Sequence, residues 1–335
     1  MAMSAQLPLS VIIPSYNRKG ELERLLAALS GQTLPCDRFE VIVIDDGSND
    51  GTREWLAEHA SGFGFSFAWF AQERQGPGSA RNLGMKHAAG GIFAFIDTDC
   101  IPQPDWLEQL IKPFAADGVG AVGGREIINE RDPLLMRCFH YLMTAPLTTG
   151  GMRGKEGKRL ARFYPRTFNM AISRKAYEAA GGFRKMYHAE DIELSFRIRQ
   201  AGFELLYEGR AQVYHRRRSS VAQYAKQLFN MGKARVTLAR LHRRSLEPLH
   251  VMPALLVAAA LFLALLPAWL NAASSILLPW VAAVMLFLVV LAIDSALRLR
   301  APQAFFIVPF LFILQQVSYG IGFLISLMHP EKFDY

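Results

Sequence analysis

Charged side chains are missing from two long stretches in the C-terminal part of this 335-residue chain. Residues 251–293 and 301–328 contain no Asp, Glu, Lys, Arg or His over 43 and 28 positions. Because a helix needs roughly 20 apolar residues to cross a bilayer, the first stretch can hold two spans and the second one. The sequence therefore predicts a membrane domain at 249–335, with transmembrane helices at 251–270, 276–297 and 303–328. Core helices of a soluble protein are the alternative, which three such segments in succession disfavour.

Cysteine is scarce, and the start of the sequence has no secretory pattern. The three cysteines, Cys36, Cys100 and Cys138, lack CxxC spacing, which argues against a zinc site and fits a reducing compartment. Residues 1–10 do not combine a basic region with an apolar run, as a signal peptide would. We therefore expect residues 1–215 to form a domain that faces the cytoplasm.

The net charge of +8 is concentrated before the first apolar stretch. Between Arg210 and Leu246 there are ten Lys or Arg residues and no Asp or Glu. Their position favours attraction to anionic membrane lipids and a cytoplasmic location, and it disfavours nucleic-acid binding. Residues 216–248 are therefore predicted to be a basic amphipathic segment at the membrane interface, although packing against the preceding domain fits equally. The apolar positions at helical spacing are Val221, Tyr224, Leu228 and Met231.

Strand-like and helix-like stretches alternate through residues 9–215. Near-continuous apolar runs such as LSVIIPS, FEVIVID and IFAFI are separated by segments with apolar residues at helical spacing. This pattern is typical of a mostly parallel sheet covered by helices on both faces, a Rossmann-like α/β fold. Ligands of such sheets bind at the carboxyl ends of the strands. We expect one crevice to contain the polar residues at three of these ends: Ser15-Tyr16-Asn17, Asp45-Asp46 and Asp97-Thr98-Asp99.

The aspartates of the D-x-D motif, Asp97 and Asp99, follow a buried strand. They share a side if the backbone stays extended, and two such anions repel each other unless a cation joins them. Mg²⁺ and Mn²⁺ accept carboxylate oxygens and complete their shells with water and substrate phosphates. The motif therefore predicts a divalent ion that carries a diphosphate. Turn formation or helix capping is the alternative.

Two further candidates follow in the sequence. Glu190 and Asp191 begin a predicted helix, where the helix dipole favours carboxylates; one of them could act as a general base, and capping is the alternative. His215 precedes Arg216, Arg217 and Arg218. We expect these cations to lower the pKa of His215 and leave a neutral imidazole that can bind a metal.

Taken in order, five segments resemble the family 2 inverting glycosyltransferases of the GT-A fold. They are SVIIPSYNR, VIVIDDGSNDGT, GPGSARNLGMKHAAGGIFAFIDTDC, AISRKAYEAAGGF and EDIELSFRI, and they cover about residues 9–215. The segment HRRRSSVAQYAKQLFNMGKARV and the C-terminal apolar runs also resemble membrane-bound bacterial members that build exopolysaccharide, of the succinoglycan-glucosyltransferase kind.

The resemblance implies a role for each matching residue. Asp191 is implied to be the catalytic base, with Glu190 in support. A Mn²⁺ or Mg²⁺ ion is implied at Asp99 and His215, with Asp97 beside it. The implied nucleotide-sugar site comprises Pro14, Ser15, Tyr16, Asn17, Asp46, Arg81, Asp97, Gly181 and Gly182.

The implied reaction moves one sugar from a nucleotide-sugar, a UDP-sugar by default, to a lipid-linked saccharide. The expected place is bacterial polysaccharide or glycolipid assembly, in a multi-pass protein of the cytoplasmic membrane. The sequence lacks the Q-x-x-R-W motif of processive synthases, which favours single transfers. A polyprenyl-phosphate glycosyl synthase is one alternative, and a membrane-tethered nucleotide-binding protein without turnover is another. A dinucleotide oxidoreductase is disfavoured because Arg81 replaces the third glycine of G-x-G-x-x-G.

Overall fold

The computed structural model describes residues 9–149, 163–186, 188–215, 220–265 and 274–329. They form two compact units. The first unit contains residues 9–129 and the described part of 152–216, and the second contains 130–149 and 220–329. Residues 130–149 therefore belong with the C-terminal helices, although they lie inside the predicted 1–215 domain.

The first unit is built on an eight-stranded mixed sheet. The strand order is β3-β2-β1-β4-β7-β6-β8-β5. The first four strands in that order are parallel, as predicted, and β6 is parallel to β8. The strands β7 and β5 run antiparallel to their neighbours. The strands are β1 (Leu9–Ser15), β2 (Phe39–Asp45), β3 (Ser66–Ala71), β4 (Ile92–Phe95), β5 (Cys100–Pro102), β6 (Val119–Ile127), β7 (Met170–Ser173) and β8 (Glu204–His215).

Helices cover both faces of this sheet, which confirms the predicted layering. Alternate residues of β1 enter different cores: Val11 and Ile13 pack on one face, and Ile12 packs on the other. Strands buried on both faces must be apolar at consecutive positions, which explains the uninterrupted runs in the sequence. The helices of this unit, numbered along the whole chain, are α1 (Lys19–Ser30), α2 (Thr52–His59), α3 (Pro77–His87), α4 (Trp106–Ile111), α7 (Arg174–Ala180) and α8 (Glu190–Gln200).

The second unit is helical. It contains α5 (Leu134–Thr144), α6 (Pro146–Thr149), α9 (Val221–Leu241), α10 (Pro248–Leu265), α11 (Ser274–Arg298) and α12 (Ala304–Met328). Two apolar segments are long enough to cross a membrane: Leu278–Arg298, with a mean hydropathy of 2.4, and Ala304–Met328, with 1.7. They match the second and third predicted spans. The first predicted span, 251–270, coincides with α10 up to Leu265, and its apolar part is too short for the same criterion among the described residues.

The predicted amphipathic helix, α9, packs against α5 and α12 within this unit. Its residues Tyr224 and Leu228 are buried with side chains of both helices. Gly232 of α9 and Gly322 of α12 bring the two backbones together, since a Cβ at Gly322 would collide with the carbonyl oxygen of Phe229. Small residues at such crossings allow close helix packing in membranes. The apolar stripe of α9 is therefore largely covered by protein.

Candidate active site

The carboxyl ends of the parallel strands lie at one edge of the sheet. Ser15 at the end of β1 pairs with Asp45 at the end of β2, and Phe95 at the end of β4 pairs with Ile12. Asp97 follows β4 by two residues and so emerges at the same edge. The loops after β1, β2 and β4 therefore meet here, as the sequence predicts.

The loops after β1 and β2 are pinned to each other. The backbone N–H of Asn17 donates to Ser48 Oγ at 2.9 Å, and Asn17 Oδ1 accepts from the N–H of Asn49 at 2.8 Å. Asn17 has a left-handed backbone with φ of 51°, a conformation that asparagine tolerates. The hydroxyl of Ser15 is buried without a hydrogen-bond partner among the described residues.

Other predicted nucleotide-binding residues border these loops. Pro14 is half-buried within β1. The guanidinium of Arg74, which the sequence does not single out, lies over the ring of Tyr16 at 4.2 Å from its centroid. This arrangement offers a flat cationic and aromatic surface beside the loops.

Asp46 holds the chain that leads into α3. Its carboxylate accepts hydrogen bonds from Gln72 Nε2 at 2.6 Å and from the backbone N–H groups of Gln75 and Gly76, both at 2.8 Å. The residue is only 4% exposed. Its role in binding a nucleotide stays a prediction, because its oxygens already serve the β3–α3 loop.

Arg81 joins the two carboxylate motifs. Its guanidinium, with 3% of the side chain exposed, donates from Nη2 to Asp97 Oδ1 at 2.6 Å and from Nη1 to Glu190 Oε1 at 2.5 Å. Burial raises the pKa of Glu190 to about 7; Arg81 opposes this shift, and the charges of Asp191 and Asp97 add to it. One cation on α3 therefore ties the loop after β4 to the start of α8.

The D-x-D motif also reaches His215. His215 ends β8 directly opposite Cys100 of β5. Its Nε2 lies 3.5 Å from Asp99 Oδ1, and its Nδ1 lies 3.1 Å from Oε1 of Glu126 on β6. Glu126 was not predicted from the sequence, because a glutamate in a strand gives no signal of its partner.

The prediction of a lowered pKa for His215 is wrong for the site without a metal. Burial alone would lower this pKa, but hydrogen bonds and charges of Asp99 and Glu126 outweigh burial and raise it to about 9. The prediction relied on the neighbouring residues 216–218, which lie outside the described residues. The charged groups that the structure places against the ring are the carboxylates of Asp99 and Glu126.

The residues around Asp99 fit a divalent ion. Ligand atoms of Asp99, Cys100 and His215 lie within 4.8 Å of one another, the one group of this kind in the described part of the chain. Burial, together with the charge of Asp99, raises the pKa of Cys100 well above its usual value, which leaves a protonated thiol and a poor ligand. The carboxylate of Asp99 is a ligand that suits Mn²⁺ or Mg²⁺ completed by water and phosphate, and Nε2 of His215 becomes a ligand when the ion displaces its proton. Asp97 is outside this group, and its Oδ1 pairs with Arg81.

Asp191 lies in the first turn of α8, with 13% of its side chain exposed. Both carboxylate oxygens are 3.4 Å from Nη1 of Arg166. Oδ1 also accepts from the N–H of Ile192 at 2.8 Å. Arg166 is a second cation that was not predicted from the sequence, because it belongs to an irregular segment without a recognisable period.

The loop that contains Gly181 and Gly182, which precedes α8, is held by hydrogen bonds from α3 and from α8. Asn82 of α3 donates from Nδ2 to the carbonyl of Phe183 at 2.7 Å and accepts from its N–H at 2.8 Å. Arg197 of α8 donates to the carbonyl of Gly182 at 2.7 Å. Gly181 has φ of 76°, which favours glycine, and a Cβ at Gly182 would collide with Asn82. These contacts therefore fix the conformation of the loop beside Arg81 and Glu190.

Comparisons with known proteins agree with this architecture. The profile described as Glycosyl transferase family 2 matches residues 10–181, just over half of the chain. Glycosyltransferase AglE of Haloferax volcanii is 29% identical over 248 residues, which cover 73% of this chain and 79% of that protein. The pre-mycofactocin glycosyltransferase of Mycobacterium tuberculosis is 26% identical over 254 residues, which cover 74% of this chain but 51% of that protein. The chain therefore spans about half the length of that second relative.

A solved structure shares the fold. The mannosyltransferase PcManGT of Pyrobaculum calidifontis, in complex with GDP-Man and Mn²⁺, superposes with a TM-score of 0.61 at 23% sequence identity. The superposition covers 98% of this chain and 89% of that chain. The predicted GT-A type of α/β fold, followed by apolar helices, is thereby confirmed.

Proposed function

Since the chain belongs to glycosyl transferase family 2 and is therefore a glycosyltransferase, we propose that it transfers one sugar from a nucleotide-sugar to a lipid-linked saccharide. The observation that carries the proposal is the pair of ion pairs made by Arg81. They connect Asp97 of the D-x-D motif to Glu190, the neighbour of Asp191, which supports one site for the proposed donor-binding and base residues.

The proposed reaction is a single displacement with inversion at the anomeric carbon. Asp191 accepts the proton of the acceptor hydroxyl, whose oxygen bonds to the anomeric carbon while the bond to the diphosphate breaks on the opposite face. Arg166 balances the negative charge of Asp191 before the proton arrives. Arg81 does the same for Asp97 and Glu190, so that the carboxylates can stay close together.

Asp99 and His215 are the residues that would hold a divalent ion, Mn²⁺ or Mg²⁺. When bound, such an ion supplies positive charge to the leaving diphosphate. The buried hydroxyl of Ser15 and the ring of Tyr16 border the place proposed for the nucleotide. A UDP-sugar is the proposed donor class, on the family resemblance alone.

The lipid-linked acceptor is proposed from the second unit. The helices α11 and α12 could span a membrane, and the basic segment before α10 favours a cytoplasmic face. A membrane anchor would concentrate an acceptor that is confined to the membrane surface. The proposed organisation is a catalytic domain within 1–215, from which residues 130–149 join the helical unit, a basic interfacial segment at 216–248 and a multi-pass domain at 249–335. Exopolysaccharide assembly in the bacterial cytoplasmic membrane is the proposed setting.

The donor and the acceptor can be tested together with the full chain in detergent. Labelled UDP-sugars and GDP-Man are offered with and without Mn²⁺, and the acceptors are bare polyprenyl phosphate and extracted lipid-linked saccharides. We expect Mn²⁺-dependent transfer to a lipid-linked saccharide. Transfer to bare polyprenyl phosphate instead would identify a polyprenyl-phosphate glycosyl synthase, and a lack of transfer with any donor would refute the proposed reaction.

The proposed base has a specific test. We expect Asp191→Asn to lower kcat by ~10²–10⁴-fold while donor binding persists, because a neutral amide cannot accept the proton. Asp37→Asn, at an exposed position away from the site, is the matched control and should behave as the unsubstituted protein. If Asp191→Asn loses donor binding together with activity, Asp191 has a structural role.

A further inference from the structure

We propose that Glu126 is a positioning residue that orients the imidazole of His215 toward Asp99 and so prepares the metal site. The inference rests on the metal role proposed above for Asp99 and His215. Neither the motifs of the sequence nor the comparisons point to Glu126. Its place in the fold does.

The two ring nitrogens of His215 face two different carboxylates. Nδ1 lies 3.1 Å from Glu126 Oε1, and Nε2 lies 3.5 Å from Asp99 Oδ1. The side chain of Glu126 is 7% exposed, whereas that of Asp99 is 32% exposed. Glu126 thus holds the buried side of the ring, and Asp99 lies on the side that is open to a ligand.

The strand pairing accounts for this contact. Glu126 of β6 pairs with Val213 of β8, so His215 lies two residues further along the partner strand and on the same face. Between Gly124 and Arg125 the register shifts, with β6 advancing by one residue and β8 by four. Without that irregularity the partner of Glu126 would be Arg210, five residues from His215. Irregular pairing often re-aims side chains next to active sites, and here it brings Glu126 to the histidine.

The ring is held on its face as well as at its edge. Phe168 stacks on His215 with ring centroids 4.6 Å apart and an interplanar angle of 27°. The strand backbone, the aromatic face and the Nδ1 contact together limit the rotation of the imidazole. Removal of Glu126 would release the edge contact and leave the stacking.

The chemistry of the contact determines which ring nitrogen of His215 carries the proton and which carries the lone pair. A carboxylate of Glu126 is an acceptor, so Nδ1–H of His215 donates to it. With the proton on Nδ1, the lone pair of a neutral ring is on Nε2, which faces Asp99. A carboxylate behind a metal-binding histidine both fixes its tautomer and makes it a stronger ligand, and loss of such a partner typically lowers metal affinity by about 10–100-fold.

The test is a titration of the full chain in detergent with Mn²⁺ alone, followed by the EPR signal of free Mn²⁺. Because the ion must displace a proton from His215, the Kd is measured at several pH values and extrapolated to the neutral ring. For the neutral ring we expect Glu126→Leu, which has no acceptor, to raise the Kd for Mn²⁺ by about 10–100-fold. Glu126→Gln keeps a carbonyl oxygen near Nδ1 and should fall between Glu126→Leu and the unsubstituted protein. Should Glu126→Leu unfold, Glu126→Asp replaces it, because it keeps the charge but withdraws the carboxylate by one methylene.

The matched control is Glu40→Gln. Glu40 is also a buried strand glutamate, and it accepts from Ser10 Oγ and from the N–H of Ala89, both at 2.6 Å, near the amino end of β2. The same substitution there removes a buried charge without touching the histidine. It should leave the Kd for Mn²⁺ unchanged.

A second readout separates orientation from general stability. In ¹⁵N-histidine-labelled protein at a pH where His215 is neutral, its signal should report a proton on Nδ1, and Glu126→Leu should shift the tautomers toward Nε2–H. His215→Gln assigns that signal among the eight histidines. Mn²⁺ binding that is unchanged in Glu126→Leu, or in Glu126→Asp where that variant replaces it, would overturn the inference while leaving the metal role intact. Failure of the unsubstituted protein to bind Mn²⁺ would overturn the metal role and this inference with it.

Discussion

Replacing Arg81 by methionine tests whether one buried cation holds the site together. Arg81→Met keeps the inner, apolar part of the side chain but removes the guanidinium, which leaves Asp97 and Glu190 without their shared partner. Removing one member of a buried ion pair typically costs about 3–5 kcal/mol, because the remaining charge is left uncompensated. For a unit of this size we expect the apparent Tm to fall by roughly 6–20 °C.

The loss should also depend on pH. The pKa of Glu190 is raised from 4.5 to about 7, so its contribution to stability is present below pH 4.5 and is lost as the pH rises through 7. Arg81 opposes this rise in pKa, and without it the pKa of Glu190 increases further. At pH 5.5 Glu190 is mostly protonated in both proteins, whereas at pH 8.5 only the unsubstituted protein has a cation to support its ionised form. The difference in Tm should therefore grow between pH 5.5 and 8.5.

Thermal unfolding followed by circular dichroism in detergent measures both effects. Arg18→Met is the control, since the Arg18–Glu21 pair spans 3.3 Å at the surface with side chains 51% and 26% exposed. Such exposed pairs contribute about 0–1 kcal/mol. Adding Glu190→Gln to Arg81→Met should recover part of the stability at pH 8.5, because it removes an unpaired charge. A loss of Tm no larger than that of Arg18→Met, or one independent of pH, would refute the reasoning.

Two glycines give further predictions. A Cβ at Gly78 would lie 2.6 Å from Glu190 Oε2, so Gly78→Ala should displace that carboxylate and lower the stability by about 1–3 kcal/mol. The control is Gly91→Ala, which should have little effect on the Tm because no atom lies within 4 Å of its Cβ. A Cβ at Gly322 would collide with the carbonyl of Phe229, so Gly322→Ala should push α9 from α12. The stability of the second unit should then also fall by about 1–3 kcal/mol, which lowers its Tm. An unchanged Tm in either variant would contradict the corresponding close contact, with the Glu190 carboxylate at Gly78 and with the Phe229 backbone at Gly322.

Local sequence patterns were sufficient to predict the regular strands and helices. The uninterrupted apolar run in β1 follows from burial on both faces of a sheet, and the leucines of α1 at helical spacing are all buried. Polar residues at the ends of β1, β2 and β4 could be grouped from sequence because parallel strands end at a common edge. The two apolar helices that could span a membrane were equally evident from the absence of charge.

Contacts between distant segments could not be predicted from local sequence patterns. The direction of β5 and β7 could not be read from their short runs, and the number of apolar helices that meet the length criterion is smaller than predicted among the described residues. The sequence around Arg81 and Arg166 contains no pattern that identifies the carboxylates with which they pair. Each faces a carboxylate only after the helices and strands are assembled.

His215 shows why these limits exist. The sequence by itself determined the strands, the helices and the residue types available at one edge of the sheet, since these follow from local periodicity and burial. Only the tertiary structure decided that His215 lies between Asp99 and Glu126, 89 residues from the latter, and that its pKa is raised to about 9. Electrostatic interactions depend on distance through space, and that distance is set by strand register and by an irregularity in β8 that no local pattern in the sequence predicts.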